Sequence, residues 1–272
     1  MSFSVLSDIH KNSSHLQDAI EDLYNINPEL DALVLNGDTV DEGLDYEYEE
    51  IKDILNDYSD KLPKEIIKNI GNHEWYEYRL ENETQADVNK RFNMFLEFAG
   101  RDKIYSDNLV KGYHFITLGA DNSNLNEYRG GHVSNEELNW FKSTLERDYE
   151  KGKPIFVFIH EPLEMHLFTI NRVTIDKHNE IRKILKKYPN VILFTSHTHL
   201  TPNENFDKTM PCVTVNTGSV NSNYVEDKNS DWGFKEDGSI NNGIYVEVKE
   251  NKVTISARNF KDKVWIYEKE VS

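Results

Sequence analysis

The sequence has a single cysteine, Cys212, so no disulfide can close within the chain and the fold must be held by its core. Cys212 lies in an apolar segment, where a thiol is expected to be buried and inert. No run of 18 or more apolar residues occurs, which excludes a membrane-spanning helix. The opening residues, Met1-Ser2-Phe3-Ser4-Val5-Leu6, lack the basic stretch and cleavage site of a secretion signal and read as a strand. Positive charge is scarce. Lys and Arg number 31 against 48 Asp and Glu, for a net charge of −17. Such a surface repels a polyanion, and no basic stripe interrupts it, so nucleic acid is not an expected partner. These absences together point to the cytoplasm. Repeats, linkers and low-complexity segments are also missing. The simplest organisation is one domain over residues 1–272, with 243–272 as an antiparallel strand extension of it.

What the 272 residues do contain is a rhythm of bare apolar runs, polar turns and amphipathic helices. Ser2 to Leu6 is β-prone and stops at Ser7-Asp8-Ile9-His10. Leu16, Ala19, Ile20 and Leu23 then share one helical face, with a cap between Asn12 and Ser14. Ala32-Leu33-Val34-Leu35 stops at Asn36-Gly37-Asp38, and an acidic helix follows over Glu47 to Tyr58. Glu65 to Ile70 ends at Gly71-Asn72-His73-Glu74. Residues 81–101 read as a helix. Lys111 to Leu118 is a strand, and Ser134 with Glu137 makes a capping-box pattern before the next helix. Pro154 to Ile159 is the strongest strand signal and stops at His160-Glu161-Pro162. A helix over Lys177 to Lys187 leads to Val191-Ile192-Leu193-Phe194, and Pro211 to Asn216 is a further strand. The polar stretch from 220 to 243 reads as loop. Three alternating segments near the end, turning at Glu250-Asn251, read as an antiparallel edge. Runs without alternation suggest sheets covered on both faces, hence an α/β fold.

Five of these runs stop at residues with lone pairs for a metal: Asp8 with His10, Asp38, Asn72, His160, and His197 with His199. Singly, each is an ordinary turn or cap residue. Together they fall at the carboxyl ends of strands, where open α/β sheets collect ligands. Two Asp, one Asn and four His are too many for one tetrahedral zinc. They suit two divalent ions sharing a carboxylate. Nitrogen and hard oxygen without thiolate fit Mn, Fe or Zn. Two ions about 3.5–4 Å apart grip a phosphoryl group for in-line displacement.

The series Asp8-x-His10, Gly37-Asp38-x-x-Asp41, Gly71-Asn72-His73-Glu74, His160 and His197-x-His199 resembles the motifs of the calcineurin-like metallophosphoesterases, in order, from residue 4 to about 220. The resemblance implies a four-layer α/β/β/α sandwich with two mixed sheets. It implies that Asp8, His10 and His199 hold one metal, that Asn72, His160 and His197 hold the other, and that Asp38 bridges them. It also implies that His73 touches the phosphate beside Asn72 and protonates the leaving oxygen, with the Asp41 carboxylate orienting His73. One departure is Ser196, where the family usually has glycine; Gly218 fits a small turn the family also has.

The expected activity is hydrolysis of a small phosphodiester or cyclic nucleotide, with hydroxide as nucleophile and His73 as general acid. A phosphomonoesterase or phosphoprotein phosphatase on the same site is the nearest alternative. A non-catalytic metal-binding scaffold is an alternative of another class, disfavoured because every ligand position is filled. Specificity is expected from the surrounding loops. Candidates are Trp75, Tyr76, Tyr78 and Arg79, then Asp121 and Asn122, then residues 124–132. Glu161, Glu164 and His166 crowd His160 as possible outer partners.

Overall fold

Strands that are apolar on both faces need cover on both faces. In the computed structural model, which describes residues 1–76, 83–124, 128–163, 175–206, 209–230 and 233–271, two sheets and two helical layers supply it. The chain runs β1 (Ser2–Leu6), α1 (Ser13–Ile26), β2 (Ala32–Asn36), α2 (Asp45–Asp57), β3 (Glu65–Asn69), α3 (Gln85–Ala99), β4 (Ser106–Val110) and β5 (Tyr113–Leu118). It continues through β6 (Asn122–Asn124), β7 (Tyr128–His132), α4 (Asn135–Asp148), β8 (Ile155–Ile159), α5 (His178–Leu185), β9 (Val191–Thr195) and β10 (Val213–Asn216). It closes with β11 (Asn223–Glu226), β12 (Phe234–Asp237), β13 (Asn242–Lys249), β14 (Lys252–Asn259) and β15 (Val264–Glu270). One sheet has the order β15-β14-β13-β1-β2-β3 and the other β10-β9-β8-β5-β4. Both are mixed: β1–β3 are parallel with β13–β15 antiparallel, and β5, β8, β9 and β10 are parallel with β4 antiparallel.

Side-chain alternation assigns the layers. Phe3, Val5, Ala32 and Val34 of the first sheet pack against Phe115, Phe156, Phe158 and Phe194 of the second. Phe3 meets Phe115 and Phe156 edge-on, at ring separations of 4.7 and 4.8 Å. Each such buried ring contributes about 1.5–3 kcal/mol. The alternate residues Leu6, Leu33 and Leu35 face Leu16 of α1, Ile51 of α2 and Phe95 of α3. On the second sheet, Val157, Ile159 and Leu193 face Phe141 and Leu145 of α4 and Ile181 of α5. The result is the expected α/β/β/α sandwich. Cys212 is buried, as expected, and burial pushes its thiol up to about 11.

Three local readings change. The stretch from 220 to 243 is not all loop: β11 and β12 pair antiparallel within it. They form a polar two-stranded ribbon outside both main sheets, so no core-facing alternation marks them. The helix expected over 81–101 is seen from Gln85, capped by Thr84, which accepts from Asp87 N at 3.3 Å; residues 81 and 82 lie outside the described residues. Ser134 does cap α4, accepting from Glu137 N at 3.0 Å. Glu137 does not reach back to it. Its carboxylate accepts from Gly119 N at 3.1 Å, and Asp121 takes the Ser134 N–H at 2.8 Å.

The carboxyl ends of β1, β2, β3, β8 and β9 meet at one rim. Buried amides stitch the sheets together there. Asn69 Nδ2 donates to Asn36 Oδ1 and to Leu118 O, both at 3.0 Å, and Asn36 Nδ2 donates to Ser196 Oγ at 2.8 Å. No helix among the described residues is long and apolar enough to cross a membrane.

Candidate metal centre

At this rim the chain turns sharply after each strand. Gly37 has φ +86°, and a Cβ there would lie 2.5 Å from His160 Nδ1, so only glycine fits. Non-glycine residues also take left-handed backbone: Asp8 (φ 49°), His10 (47°), Asp38 (49°), His197 (69°) and His199 (53°). Such residues cost about 1–3 kcal/mol each and persist only where their surroundings fix them. Here the loops brace each other. Ile9 N and His10 N both donate to Asp38 O, at 2.8 and 3.0 Å. The fully buried Glu74 carboxylate accepts from Asp38 N (2.8 Å), Thr39 N (2.6 Å) and Gly71 N (2.6 Å), clamping two loops together. Burial, and then Asp38, push its pKa up to about 7.

The turns aim the side chains inward. His199 Nε2 lies 3.1 Å from Asp8 Oδ1 and 3.1 Å from His10 Nε2. His160 Nε2 lies 3.0 Å from Asp38 Oδ2 and 3.8 Å from Asp8 Oδ1. His10 Nε2 is 3.9 Å, and His73 Nε2 4.0 Å, from Asp38 Oδ2. Three overlapping sets each bring their ligand atoms within 4.8 Å of one another: Asp8, His10 and His199; His10, Asp38 and His73; Asp38, His160 and His197. Asp38 thus belongs to two of the three sets, and its Oδ2 lies within 4.0 Å of three histidines, His10, His73 and His160. Asn72 is buried on the turn after β3, beside His73.

The charges are set by mutual contact. Burial alone would raise the Asp8 pKa, but His199 and His160 lower it to about 2. Asp38 is likewise held well below the carboxylate range by His160 and His73 against the burial penalty. Burial disfavours a charged His160, yet Asp38 and Asp8 outweigh it and raise its pKa well above that of free imidazole. Its Nδ1 donates to Asn36 O at 2.8 Å, which turns Nε2 toward the two carboxylates.

Every predicted ligand position lies at this rim, and one detail, the role of Asp41, differs from expectation. The His197-x-His199 stretch is not extended: both histidines are left-handed, and Thr198 N closes a tight turn onto Ser196 O at 2.7 Å. The turn separates the two imidazoles, His197 toward His160 (rings 5.3 Å apart) and His199 toward His10 (5.1 Å). Asp41 acts differently. Its backbone carbonyl accepts from His73 Nδ1 at 2.6 Å, whereas its carboxylate Oδ1 is 3.9 Å from that atom and only 3.3 Å from His10 Nδ1.

The loop candidates divide. Trp75 is 1% exposed and stacks on Phe92 at 6.0 Å, so it is core; Tyr76 packs partly buried against the same core. Tyr78, Arg79, Glu164 and His166 lie outside the described residues, as do residues 125–127. Asn122 and Asn124 lie in the short strand β6, Tyr128 to His132 form β7, and His132 Nδ1 lies 2.7 Å from Asp176 Oδ2. Asp121 is committed to Ser134. Glu161 is buried beside His160, and burial pushes its pKa up to about 7. Sequence reasoning missed the clamp by Glu74 and the hydroxyl chain around Ser196. Ser196 Oγ meets Thr217 Oγ1 at 2.8 Å, and Thr217 Oγ1 meets Ser7 Oγ at 2.7 Å. Ser196 is not left-handed, which is why the family's glycine is dispensable here.

Comparison with known proteins agrees with this geometry. The calcineurin-like phosphoesterase family model matches residues 1–200. No curated protein sequence matches the chain. Among solved structures, a dimetal phosphatase from Danio rerio aligns with a TM-score of 0.66 at 12% identity, covering 100% of this chain and 98% of that one. Purple acid phosphatase PPD1 from yellow lupin (Lupinus luteus) seeds aligns at 0.70 and 10% identity, over 100% of this chain and 53% of that one. GAP50, the anchor in the inner membrane complex of Plasmodium, aligns at 0.68 and 14% identity, over 100% and 88%. At such identities the likeness establishes the fold. The family pattern, spanning most of the length and meeting the same rim that the folded chain fills with carboxylates and imidazoles, makes this protein a member of the calcineurin-like phosphoesterase family, a metal-dependent phosphoesterase.

Proposed function

We propose that the chain hydrolyses a small organic phosphodiester at a centre of two divalent ions, Mn, Fe or Zn. The observation that carries this reading is the convergence of Asp8, His10, Asp38, His73, His160, His197 and His199 in three overlapping sets. The donor set fits such ions. Asp8 Oδ1 is buried and faces His199 Nε2 at 3.1 Å, and His160 has committed Nδ1 and presents Nε2 inward. Nitrogen and carboxylate oxygen without sulfur are the ligands such ions take. In this reading Asp8, His10 and His199 hold one ion, Asn72, His160 and His197 hold the other, and Asp38 is shared. When bound, the pair supplies Lewis-acid polarisation of the phosphoryl group and acidifies water.

The chain's own residues do the rest. His73 protonates the leaving oxygen from Nε2, while Nδ1 stays committed to Asp41 O at 2.6 Å. Burial disfavours the imidazolium, but Asp38, the Asp41 carbonyl, Glu74 and the Asp41 carboxylate outweigh it and raise the His73 pKa, which favours the proton-donating form. Asn72, beside His73, would also touch the phosphate.

Charge supports a diester. Lys11, which follows the ligand His10, is drawn off by Glu47 (3.1 Å) and the Tyr46 hydroxyl (3.2 Å). A monoester would bring an extra negative charge into a protein of net charge −17. The monoester or phosphoprotein reading is favoured instead by the names of two structural neighbours, both called phosphatases. Protein loaded with Mn²⁺ is expected to cleave bis-p-nitrophenyl phosphate faster than p-nitrophenyl phosphate, and Asp38→Asn to abolish both. Cleavage of neither, with Asp38→Asn indistinguishable from wild type, would refute the reading. The opposite order of rates would refute the diester preference.

A further inference from the structure

A cleft of about 650 Å³ adjoins the metal centre and plays no part in the chemistry above. Its size suits a small organic ligand. Its apolar wall includes Leu163, Leu200, Pro202, Phe206, Tyr224 and Phe234. Four polar side chains in the wall, Ser196, Thr201, Thr214 and Asn216, are spent on the protein itself. Ser196 Oγ is tied to Asn36 and Thr217, Thr201 Oγ1 donates to Tyr224 O at 3.2 Å, and Thr214 Oγ1 donates to Cys212 O at 3.3 Å. The Asn216 amide uses both ends, donating to Leu200 O at 2.9 Å and accepting from Gly218 N at 3.1 Å. Among the described residues lining the cleft, the one that is charged is Glu226, and none offers a phosphate or other anion a counter-charge. An uncharged, apolar group finds contact surface and leaves no buried polar atom unpaired.

The position of the cleft says which part of a substrate reaches it. Its wall shares Ser196 and Thr198 with the turn that carries His197 and His199. Tyr224 links cleft and centre: its N–H donates to His199 O at 2.7 Å, and its ring lies 6.4 Å from the His199 ring. Thr198, His199, Leu200 and Tyr224 are all partly exposed, so the rim between centre and cleft is open. His10 neighbours both His73 and His199, its ring 4.5 Å from one and 5.1 Å from the other. The cleft adjoins the His199 end of the centre, and the proton donor His73, grouped with His10 and Asp38, is not among the residues that line it.

We propose that this cleft is the subsite for the ester group that stays on phosphorus, and that it takes an uncharged, apolar alcohol, aryl or branched alkyl. This rests on the phosphodiesterase reading and deepens it, because a monoester has no second group to place there.

The test compares two substrates with the same leaving group, bis-p-nitrophenyl phosphate and methyl p-nitrophenyl phosphate, on Mn²⁺-loaded protein. Burial of one aryl ring predicts a KM about tenfold lower for the bis-aryl ester. Val225→Trp, which fills the cleft from β11, is expected to raise that KM about tenfold while leaving kcat, and both constants for the methyl ester, unchanged. Phe234→Ala, which strips apolar lining contributed by the paired strand β12, should shift the same KM in the same direction and serves if the first variant does not fold. Saturation-transfer NMR of uncharged 4-nitroanisole on metal-free protein should show binding to wild type and its loss in Val225→Trp. Equal KM for both esters in wild type, an equal rise for both in the folded variants, or no binding of 4-nitroanisole would overturn the proposal. Cleavage of neither ester would bring down the phosphodiesterase reading, and the ester subsite with it, even if 4-nitroanisole still bound.

Discussion

Truncating Asp41 to alanine separates two tasks that this residue performs with different atoms. Its carbonyl accepts from His73 Nδ1 at 2.6 Å, and any residue supplies a carbonyl. Its carboxylate lies 3.3 Å from His10 Nδ1, and only the aspartate supplies that. The outer partner of a metal-binding imidazole fixes its orientation and raises its basicity, and its loss typically weakens metal binding by about 10- to 100-fold, or about 1.4–2.7 kcal/mol. The carboxylate is 26% exposed and the separation is long for a hydrogen bond, so solvent screening puts the expected loss near the tenfold end. Titration calorimetry with Mn²⁺ should show one of two binding events weakened by about that factor. At saturating Mn²⁺, the alkaline fall of kcat for bis-p-nitrophenyl phosphate, where His73 loses its proton, should move only slightly to lower pH, because the Asp41 carboxylate contributes less to raising the His73 pKa than Asp38, the Asp41 carbonyl or Glu74. His73→Gln is the control, with kcat down by roughly 10²–10⁴ and both ions retained. The reasoning is refuted if Asp41→Ala binds both ions as wild type does and instead reproduces the kinetic defect of His73→Gln. In that case the carboxylate serves the proton donor after all.

The remaining predictions concern the two ions, the sheet junction and one buried acid. His197→Ala and His199→Ala should each retain about one ion per chain by mass-spectrometric metal analysis; equal partial loss of both ions in both variants would count against the split. Ser196→Ala leaves the Asn36 and Thr217 groups short of a partner, at a cost of about 1–3 kcal/mol, so calorimetry should show a melting temperature lower by about 2–4 °C per kcal/mol; an unchanged value would show that the hydroxyl chain contributes nothing. Glu161 has its pKa raised from 4.5 to about 7 by burial, so in chelated protein its contribution is fully present below pH 4.5 and is lost as pH rises through 7. A shift of that size amounts to about 3 kcal/mol, so Glu161→Gln should stabilise the metal-free protein against urea at pH 8 and not at pH 4; stabilisation equal at both pH values would rule out a buried charge as the cause.

What could be read from the sequence, and what could not, follows from the range of the forces involved. Strands such as Phe156 to Ile159 announce themselves because burial on both faces demands unbroken apolar residues, and this alone gave the α/β class. The ligands were legible because each follows such a run directly, at the carboxyl edge of a sheet. Their partition between two ions came from the family resemblance, and the left-handed turn at His197-x-His199 is its structural counterpart. The ribbon of β11 and β12 was not legible, since its residues answer to each other and not to a core. Trp75 came up as a specificity candidate because its neighbours in the chain are candidate ligands, but its neighbour in space is Phe92, which makes it core. The exchange of carbonyl for carboxylate at Asp41 was invisible for a deeper reason: sequence specifies side chains, and here the backbone does the orienting.

The strained turns then explain each other. Asp8, His10, Asp38, His197 and His199 all hold left-handed backbone that non-glycine residues avoid. The strain persists because hydrogen bonds from other parts of the chain over-determine these turns. Glu74 fixes Asp38 N, Ser219 Oγ and Asn221 N both bond Asp8 O at 3.0 Å, and Asp8 Oδ2 accepts from His197 N at 3.2 Å. None of these contacts uses a metal ion. The ligand atoms are therefore gathered by the fold itself, and Asp8 and Asp38 are kept ionised by the imidazoles they face. Binding a cation at such a site requires displacing the proton that Asp38 and Asp8 favour on His160, and little folding. Affinity should accordingly depend on pH through proton release, while the shape of the site, unlike that of a structural zinc module, should outlast the removal of its ions.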